Sequence, residues 1–282
     1  MSLADVTNFL VDGLWYSLGS GERYIYIEDI GEGFFGKVKR YRDQKTGEDV
    51  AFKTVDLEKS PDEYMEIQVL KQLSGKHPAF LNLVNATIEK KTAIIITDVA
   101  PGMELFKRLT EGAPLTVPQV KSAFYQLVEA MNTAHHLKIT HRDLKPENIM
   151  IYENPYGKVF VKILDWGMAL AGGEYRLSGG SPNYAAPEVL DKSSVVGPWN
   201  DVWSLGVVLF TMLTRKMPFD KVYIPHLFRQ IREMDVNYST PGLTPGAVSI
   251  LKKIFVSHDA RITCQDILGE EWLCTDKSDA RI

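Results

Sequence analysis

The octapeptide His141-Arg142-Asp143-Leu144-Lys145-Pro146-Glu147-Asn148 constrains this chain more than any other stretch. Upstream, Thr116–His136 carries Val117, Val120, Phe124, Leu127, Val128 and Met131 on one helical face. Downstream, Ile149–Tyr152 and Val159–Leu164 read as a strand pair around the turn Asn154-Pro155-Tyr156-Gly157. The octapeptide is therefore a loop between a helix and a hairpin. Asp143 can accept a proton, or a hydrogen bond, from an attacking hydroxyl. Lys145, two residues on, can reach the oxygens of a group in transfer. Asn148 offers a neutral oxygen suited to a divalent cation, and Pro146 stiffens the turn between them. A charged surface loop ahead of a strand is the plain alternative. It weakens if correctly ordered partners occur on both sides.

Such partners occur. Tyr24–Ile30 alternates like a strand and runs into Gly31-Glu32-Gly33-Phe34-Phe35-Gly36-Lys37-Val38. Val38–Tyr41 reads as a second strand, followed by the turn Lys45-Thr46-Gly47-Glu48. Glycines that open a helix would suggest a dinucleotide site, whereas glycines between two strands suit a lid over phosphates. A plain hairpin with glycines at strained positions is the alternative. Asp49–Val55 reads as a third strand, with Lys53 among apolar residues, where it needs a carboxylate or phosphate partner. Glu66 is the expected carboxylate, in a helical stretch Pro61–Leu73 striped by Ile67, Leu70 and Leu73. Glu63 is the weaker choice, because Leu70 then falls out of phase. Leu81–Asn85 and Ala93–Asp98 read as two more strands, the second apolar and β-branched enough to be buried. Gly102-Met103-Glu104-Leu105-Phe106 opens the next helix, where a glutamate in the first turn also suits the helix dipole.

Asp165-Trp166-Gly167 follows the Val159–Leu164 strand. Asp165 with Asn148 is the sparse set of hard oxygens that magnesium takes when phosphates supply the rest. Ala169–Pro187 is small, polar and glycine-rich, and ends in Ala186-Pro187-Glu188. Val202–Leu213 is apolar nearly all round, hence a buried helix, and Asp201 at its start is a candidate anchor for the octapeptide backbone. Leu227–Ile231, Pro245–Ile254 and Cys264–Leu268 read as the remaining helices, and Arg261 is the expected ion-pair partner of Glu188. Near the start, Phe9, Leu10, Leu14, Trp15 and Leu18 have near-helical spacing, which predicts a short packed helix before Gly19-Ser20-Gly21.

A length of 282 residues suits about two domains. Net charge −4 supplies no basic field for nucleic acid or a membrane surface. No apolar run reaches the ~18 residues of a membrane span. Asp5 and Asp12 interrupt the first apolar residues, so no signal peptide is expected. Cys264 and Cys274 are too few for a disulfide framework and fit a reducing compartment, cytoplasmic or nuclear.

In order, Gly31–Val38, Lys53, Glu66, His141–Asn148, Asp165–Gly167, Ala186–Glu188, Asp201 and Arg261 resemble a eukaryotic protein kinase domain over about residues 24–275. The run 142–148 and Gly180–Glu188 resemble serine/threonine kinases. Asp201–Thr214 and Met217-Pro218-Phe219-Asp220 resemble the calmodulin-dependent and AMP-activated group. The resemblance implies an α+β, two-lobed fold with the active site in the cleft. Residues 24–98 would form a small antiparallel β-sheet lobe with one helix, 99–102 a hinge, and 103–275 a larger, mainly α-helical lobe. Residues 1–23 would be an N-terminal extension and 276–282 a tail.

The implied reaction moves the γ-phosphoryl group of ATP to a serine or threonine of a protein, with ATP and Mg2+ as cofactors. By the resemblance, Lys53 would hold the α/β-phosphates and Glu66 would position Lys53. Asp143 would orient the hydroxyl, Lys145 would stabilise transferred charge, and Asn148 and Asp165 would bind magnesium. Gly31, Gly33 and Gly36 would cover the phosphates. Val38, Ala51, Asp98, Ala100, Glu104 and Met150 would complete the nucleotide site, and Thr97 falls at the gatekeeper position. Glu104 and Glu147 imply a protein substrate with basic residues near the phosphorylated one. A regulatory partner or tail is a further expectation. A pseudokinase scaffold, the competing class, usually lacks the equivalents of Lys53, Asp143 or Asp165, and all three are here. A small-molecule phosphotransferase is disfavoured by the full activation segment.

Two departures stand out. Trp166 replaces the usual phenylalanine, so a larger ring must pack beside the Glu66 helix and its indole N–H must find a partner. Leu177 stands where the activating threonine is expected, with Ser178 next to it. Arg142 would then rely on Glu174, or on Ser178 once phosphorylated, and activity without loop phosphorylation is expected.

Overall fold

Alternation of apolar and polar residues organises the first hundred positions around one antiparallel sheet. The computed structural model describes residues 8–11, 14–17, 22–33, 36–58, 63–89, 91–172, 181–190 and 197–274. The chain divides into two compact units, residues 1–75 with 81–100, and residues 76–80 with 101–282.

The first unit holds β1 (Asn8–Val11), β2 (Leu14–Ser17), β3 (Glu22–Gly33), β4 (Gly36–Asp43) and β5 (Asp49–Asp56). Helix α1 (Glu63–Leu73), β6 (Leu83–Glu89) and β7 (Thr92–Asp98) complete it. The sheet order is β1-β2-β3-β4-β5-β7-β6, antiparallel throughout. Tyr24, Tyr41, Val50, Phe52, Ile94 and Ile96 form a buried cluster on it. Phe52 meets Tyr24 edge-on at 5.0 Å and Tyr41 at 4.5 Å. Each such side chain contributes roughly 1.5–3 kcal/mol by leaving water, so this cluster carries the unit. Helix α1 buries Ile67, Leu70 and Leu73, the stripe read from the sequence, and Val69 beside them.

Two expectations fail here. Phe9, Leu10, Leu14 and Trp15 lie in strands, not in a helix; Leu18 lies outside the described residues. The overlooked signal is Asp12-Gly13, which separates the paired Val11 and Leu14. Asp-Gly between two apolar runs favours a hairpin over helical periodicity. Strand β2 pairs onward with β3, so these residues extend the sheet. The strand expected at Leu81–Asn85 begins two residues later and runs to Glu89, because Asn82 gives its N–H to the side chain of Asp98.

In the second unit, β8 (Met103–Glu104) leads directly into α2 (Leu105–Glu111). The helix thus starts later than expected, because Met103 and Glu104 pair with Ile151 and Met150. Helix α3 (Val117–His136) starts at Thr116, whose hydroxyl accepts from the Gln119 amide while Gln119 Oε1 accepts from the Thr116 amide. Val120, Phe124, Leu127, Val128 and Met131 are buried on its inner face; Val117 in the first turn is exposed. Strands β9 (Ile139–Thr140), β10 (Ile149–Glu153), β11 (Val159–Ile163) and β12 (Leu170–Ala171) form two small sheets, β11-β10-β8 and β12-β9. Helices α4 (Pro187–Leu190), α5 (Pro198–Thr214), α6 (Ile224–Glu233), α7 (Pro245–Ile254), α8 (Cys264–Leu268) and α9 (Glu271–Cys274) follow. Residues 76–80 belong with this unit: Ile163 N–H donates to Ala79 O at 2.8 Å and Lys162 Nζ to Phe80 O at 2.7 Å. Helix α5 is buried from Asn200 to Phe210, as its apolar sequence demands. Among the described residues, no helix is long and apolar enough to cross a membrane.

Glu188 and Arg261 form a buried bidentate pair at 2.6 and 3.2 Å. The remaining guanidinium protons go to the carbonyls of Ile254, Trp199 and Val256, and Asn200 Nδ2 donates to Glu188 Oε1. Arg261→Ala would strand the carboxylate in a dry site. It should cost about 3–5 kcal/mol, a drop in Tm on the order of 10 °C, measured by thermal unfolding. Arg261→Lys should recover little of this, because an ammonium cannot match the planar fork.

Candidate functional site

The residues expected to carry chemistry fall into two sets, one in each unit. In the first unit, the antiparallel register places Lys53 opposite Val38 and Ile95, and Ala51 opposite Thr97. Lys53 Nζ donates to Glu66 Oε2 at 2.7 Å. Glu66 is nearly fully buried, while the Lys53 side chain keeps 17% exposure. A buried carboxylate needs such a partner, and α1 supplies Glu66 because Ile67 and Leu70 set which way the helix faces. Glu63 is at the helix start, and the lysine goes to Glu66. The glycine stretch joins two strands, with Gly31 paired to Val38 and Gly33 to Gly36; no helix follows it. Gly31 has no positive φ, and a Cβ there would meet only Val38 Cβ at 3.9 Å. Its value is an uncovered backbone, not a strained one. Thr97 is buried and its hydroxyl donates to Asp98 O at 3.0 Å. Asp98 and Ala100 are half-buried at the end of β7 and just beyond it.

In the second unit, the octapeptide loop runs from β9 into β10. Asp143 is the hub. Its Oδ1 accepts from Ser181 N and Ser181 Oγ, each at 3.0 Å. Its Oδ2 accepts from Lys145 Nζ at 2.7 Å and from Asn148 Nδ2 at 3.3 Å. Lys145 also reaches Ser181 Oγ at 2.9 Å. Asn148 Nδ2 donates a stronger bond to Asp143 O at 2.8 Å, which commits the amide nitrogen inward and leaves its oxygen for other use. Leu164 N–H donates to Asn148 O at 2.8 Å, so the strand pair β10–β11 brings Asp165 next to Asn148. Asp165 has φ +53, a left-handed conformation that aspartate tolerates better than most residues. Among the described residues no cluster of three or more His, Cys, Asp or Glu could hold a metal. One carboxylate and one amide oxygen are hard, sparse donors, a set that suits magnesium, which takes few protein ligands, better than zinc.

Beneath the loop, Asp201 is fully buried. Its Oδ2 accepts from His141 N at 2.8 Å and lies 2.9 Å from His135 Nε2. Its Oδ1 accepts from Arg142 N at 2.8 Å. The anchor read from the sequence thus holds two successive loop amides. Arg142 has φ +72 and donates from Nη1 to Met168 O at 3.0 Å. Glu174, Leu177 and Ser178 lie outside the described residues.

Trp166 is fully buried, 4.5 Å from the His141 ring and edge-on to Phe80 at 5.6 Å. Its indole N–H finds no partner among the described residues, contrary to expectation. Glu147 Oε2 is likewise buried without one. Burial, with Glu147 and Asp143 nearby, pushes the Tyr184 hydroxyl well above its ordinary pKa. Glu104 is exposed at the start of α2, makes no capping bond, and sits opposite the half-buried Met150. Ser181 and His135 were not singled out from sequence. Ser181 had a usable signal in Gly180-Ser181-Pro182-Asn183-Tyr184; His135 had none, because its role depends on Asp201, 66 positions away.

The description "Protein kinase domain" matches residues 24–273. The chain is 38% identical over 259 residues to "SNF1-like protein kinase ssp2" of Schizosaccharomyces pombe, covering 88% of this chain and 44% of that protein. It is 34% identical over 262 residues to "Carbon catabolite-derepressing protein kinase" of Saccharomyces cerevisiae, covering 90% and 40%. Identity to "CBL-interacting serine/threonine-protein kinase 3" of Arabidopsis thaliana is 34% over 265 residues, covering 90% and 59%. The chain spans less than two thirds of the length of each of these relatives.

His135 yields a prediction. Burial disfavours its imidazolium, but the charge that the Cys264 sulfur, 3.6 Å from Nδ1, carries when ionised and the Asp201 carboxylate outweigh burial and raise its pKa to about 10. A raised folded-state pKa stabilises fully below the ordinary value of about 6.5 and is lost as pH rises through about 10. Urea midpoints of the wild type should therefore fall between pH 7 and 10.5. His135→Gln, which keeps a donor to Asp201 without titrating, should show a flatter profile over that window.

Proposed function

The chain belongs to the protein kinase family, and from that premise we propose that it transfers the γ-phosphoryl group of ATP to a serine or threonine hydroxyl of a protein. The observation that carries this reading is the Asp143 carboxylate, which already accepts a hydroxyl, that of Ser181, at 3.0 Å. A substrate hydroxyl presented to the same carboxylate would be oriented for attack, and Asp143 would take its proton as the hydroxyl oxygen bonds to the γ-phosphorus and the bond from that phosphorus to the bridging oxygen of the departing ADP breaks. Lys145, 2.7 Å from Asp143, balances the carboxylate and would meet the charge on the moving phosphoryl oxygens. Lys53, held by Glu66, would bind the α/β-phosphates. Proteins of this family use ATP with Mg2+. When bound, magnesium would neutralise phosphate charge, and Asp165 and the Asn148 amide oxygen fit as its protein ligands.

The glycine stretch 31–36 would cover the phosphates with backbone, and Val38, Ala51, Asp98, Ala100 and Met150 would contact the nucleoside. The substrate is a protein with basic residues near the phosphorylated one. Support comes from the half-buried Glu147, whose Oε2 has no hydrogen-bond partner among the described residues; the Tyr184 hydroxyl is pushed up mainly by burial, with a smaller contribution from the Glu147 and Asp143 carboxylates. Exposed Glu104 would reach the ribose or a second basic residue. Two unpaired cysteines support a reducing compartment, cytoplasm or nucleus. A regulatory partner or tail would act on the chain. Arg142 already donates to the Met168 carbonyl, which supports activity without loop phosphorylation.

The central test is transfer of labelled phosphate to a generic protein by phosphatase-treated enzyme. The wild type should be active, and Asp143→Asn should be slower by about 10²–10⁴-fold. Equal rates would sink the assignment of Asp143. Activity that appears only after the loop is phosphorylated would overturn the constitutive part alone. Substrate charge has its own measurement. Glu147→Gln should lower kcat/KM about tenfold for peptides with arginine before the phosphorylated residue, the scale of one charged hydrogen bond, and leave neutral peptides nearly unaffected. Equal losses on both peptides would refute the basic preference.

A further inference from the structure

Asn82 has no part in the chemistry described above, yet it makes four hydrogen bonds within the first unit. Its backbone N–H donates to Asp98 Oδ1 at 2.7 Å, and its Nδ2 donates to Asp98 Oδ2 at 3.0 Å. Its carbonyl accepts from Asp98 N–H at 3.1 Å. Its Oδ1 accepts from Gly75 N–H at 3.0 Å. Only the carbonyl contact continues the β6–β7 ladder; the other three involve side chains. Strand β6 begins one residue later, where Leu83 pairs with Thr97, and runs to Glu89. The contacts converge on Asp98, the last residue of β7.

Asp98 is where the backbone leaves the ladder. It pairs with Val50, and Val99 and Ala100 beyond it have no strand partner. The direction of Val99 and Ala100 is therefore set by how Asp98 is held. Asp98 is held at three points. Its carboxylate and N–H are tied to Asn82, and its carbonyl accepts from Thr97 Oγ1 at 3.0 Å. The other end of the link is the turn after α1. Gly75 has φ +72, and Ser74 Oγ accepts from Leu83 N–H at 3.1 Å. Asn82 thus ties the helix that carries Glu66 to the residue from which 99–100 depart. An asparagine supplies this set on two separate atoms of one short side chain, Nδ2 as the donor for the carboxylate and Oδ1 as the acceptor for the amide.

We propose that Asn82 is a positioning residue for the nucleotide, fixing Asp98 so that the backbone of 98–100 is preset to grip an adenine. This rests on the kinase reading of residues 98–100. Preset geometry lowers the ordering cost of binding and leaves the transfer step alone. It should therefore appear in KM for ATP and not in kcat.

The test uses the intact chain and three variants, with ATP kinetics, direct titration of a fluorescent ATP analogue, and amide hydrogen exchange at Val99 and Ala100. Asn82→Ala should raise KM for ATP and the analogue Kd about tenfold, the scale of a charged hydrogen bond. Its kcat and peptide KM should stay within about twofold, and exchange at Val99 and Ala100 should quicken. Asn82→Asp should bind more weakly still, since two carboxylates then face each other. The swap Asn82→Asp with Asp98→Asn restores a donor–acceptor pair, keeps an acceptor for Gly75 N–H, and should return exchange at Val99 and Ala100 towards wild type. Unchanged KM and Kd in Asn82→Ala would overturn the proposal. So would a swap that folds with wild-type Tm yet keeps fast exchange at Val99 and Ala100, or a loss confined to kcat. A wild type that binds the analogue but transfers no phosphate would defeat the kinase reading instead, and the Kd and exchange results would still decide the role of Asn82.

Discussion

A carboxylate removed from water lies beneath the loop that carries the candidate chemistry. Asp201 is held inside by α5, a helix buried on nearly every side, so its charge cannot relax towards solvent. Burying an unpaired carboxylate would cost several kcal/mol. The cost is offset by the amides of His141 and Arg142 and by the His135 imidazolium. The same contacts shape the loop. Arg142 sits at φ +72, a conformation that costs a non-glycine residue on the order of 1 kcal/mol. Two charge-assisted bonds from consecutive amides exceed that cost. Asp143 follows next in the chain, so its direction is inherited from the anchor.

Two ion pairs in the molecule show how burial separates support from chemistry. Arg261 has no exposed side-chain surface, and its guanidinium is saturated by Glu188 and three carbonyls. No ligand can approach it. Lys53 has a comparably short bond to Glu66, but 17% of its side chain remains open. Glu66 fixes the ammonium in place while solvent, or a phosphate, can still reach it. The two pairs look alike in sequence, as a lysine or arginine with a distant glutamate. They differ only in what the fold puts around them.

Local patterns with a period or a fixed spacing were legible. The octapeptide, the Lys53–Glu66 pairing, Asp201 as a loop anchor and the apolar stripes of α1, α3 and α5 follow from side-chain chemistry and helical phase. The misreadings share a cause, which is competition between a weak period and a local hydrogen bond. Phe9, Leu10, Leu14 and Trp15 do fit a helical face, but Asp12-Gly13 favours a hairpin, and β2 then gains β3 as a neighbour. Leu81–Asn85 looked like one strand until the Asp98 side chain took the Asn82 amide. The sequence places Glu104 in a helix because strands of two residues have no period to detect. His135 and Asn82 were invisible because each acts through a partner distant in sequence, which no window along the chain contains.

The buried polar atoms left without partners mark where the fold tolerates loss and where it does not. The indole N–H groups of Trp166, Trp199 and Trp203 have none among the described residues. Each forfeits about 1–3 kcal/mol, yet a buried tryptophan removes roughly 150–250 Å² from water, worth about 4–6 kcal/mol at 25 cal/mol per Å². The ring outweighs its nitrogen for the fully buried Trp166 and Trp203, which need no ligand to explain them; Trp199 is only half-buried. Glu147 Oε2 has no such compensation, because a carboxylate brings little apolar surface and a larger desolvation cost. It lies in the same loop as Asp143, and near Tyr184, whose hydroxyl it helps to keep protonated. Glu147 Oε2 is itself closed to solvent, so a cation could meet the Glu147 carboxylate only through the exposed part of this half-buried side chain, and the deficit at Oε2 is a cost the loop bears in holding Asp143 where it is.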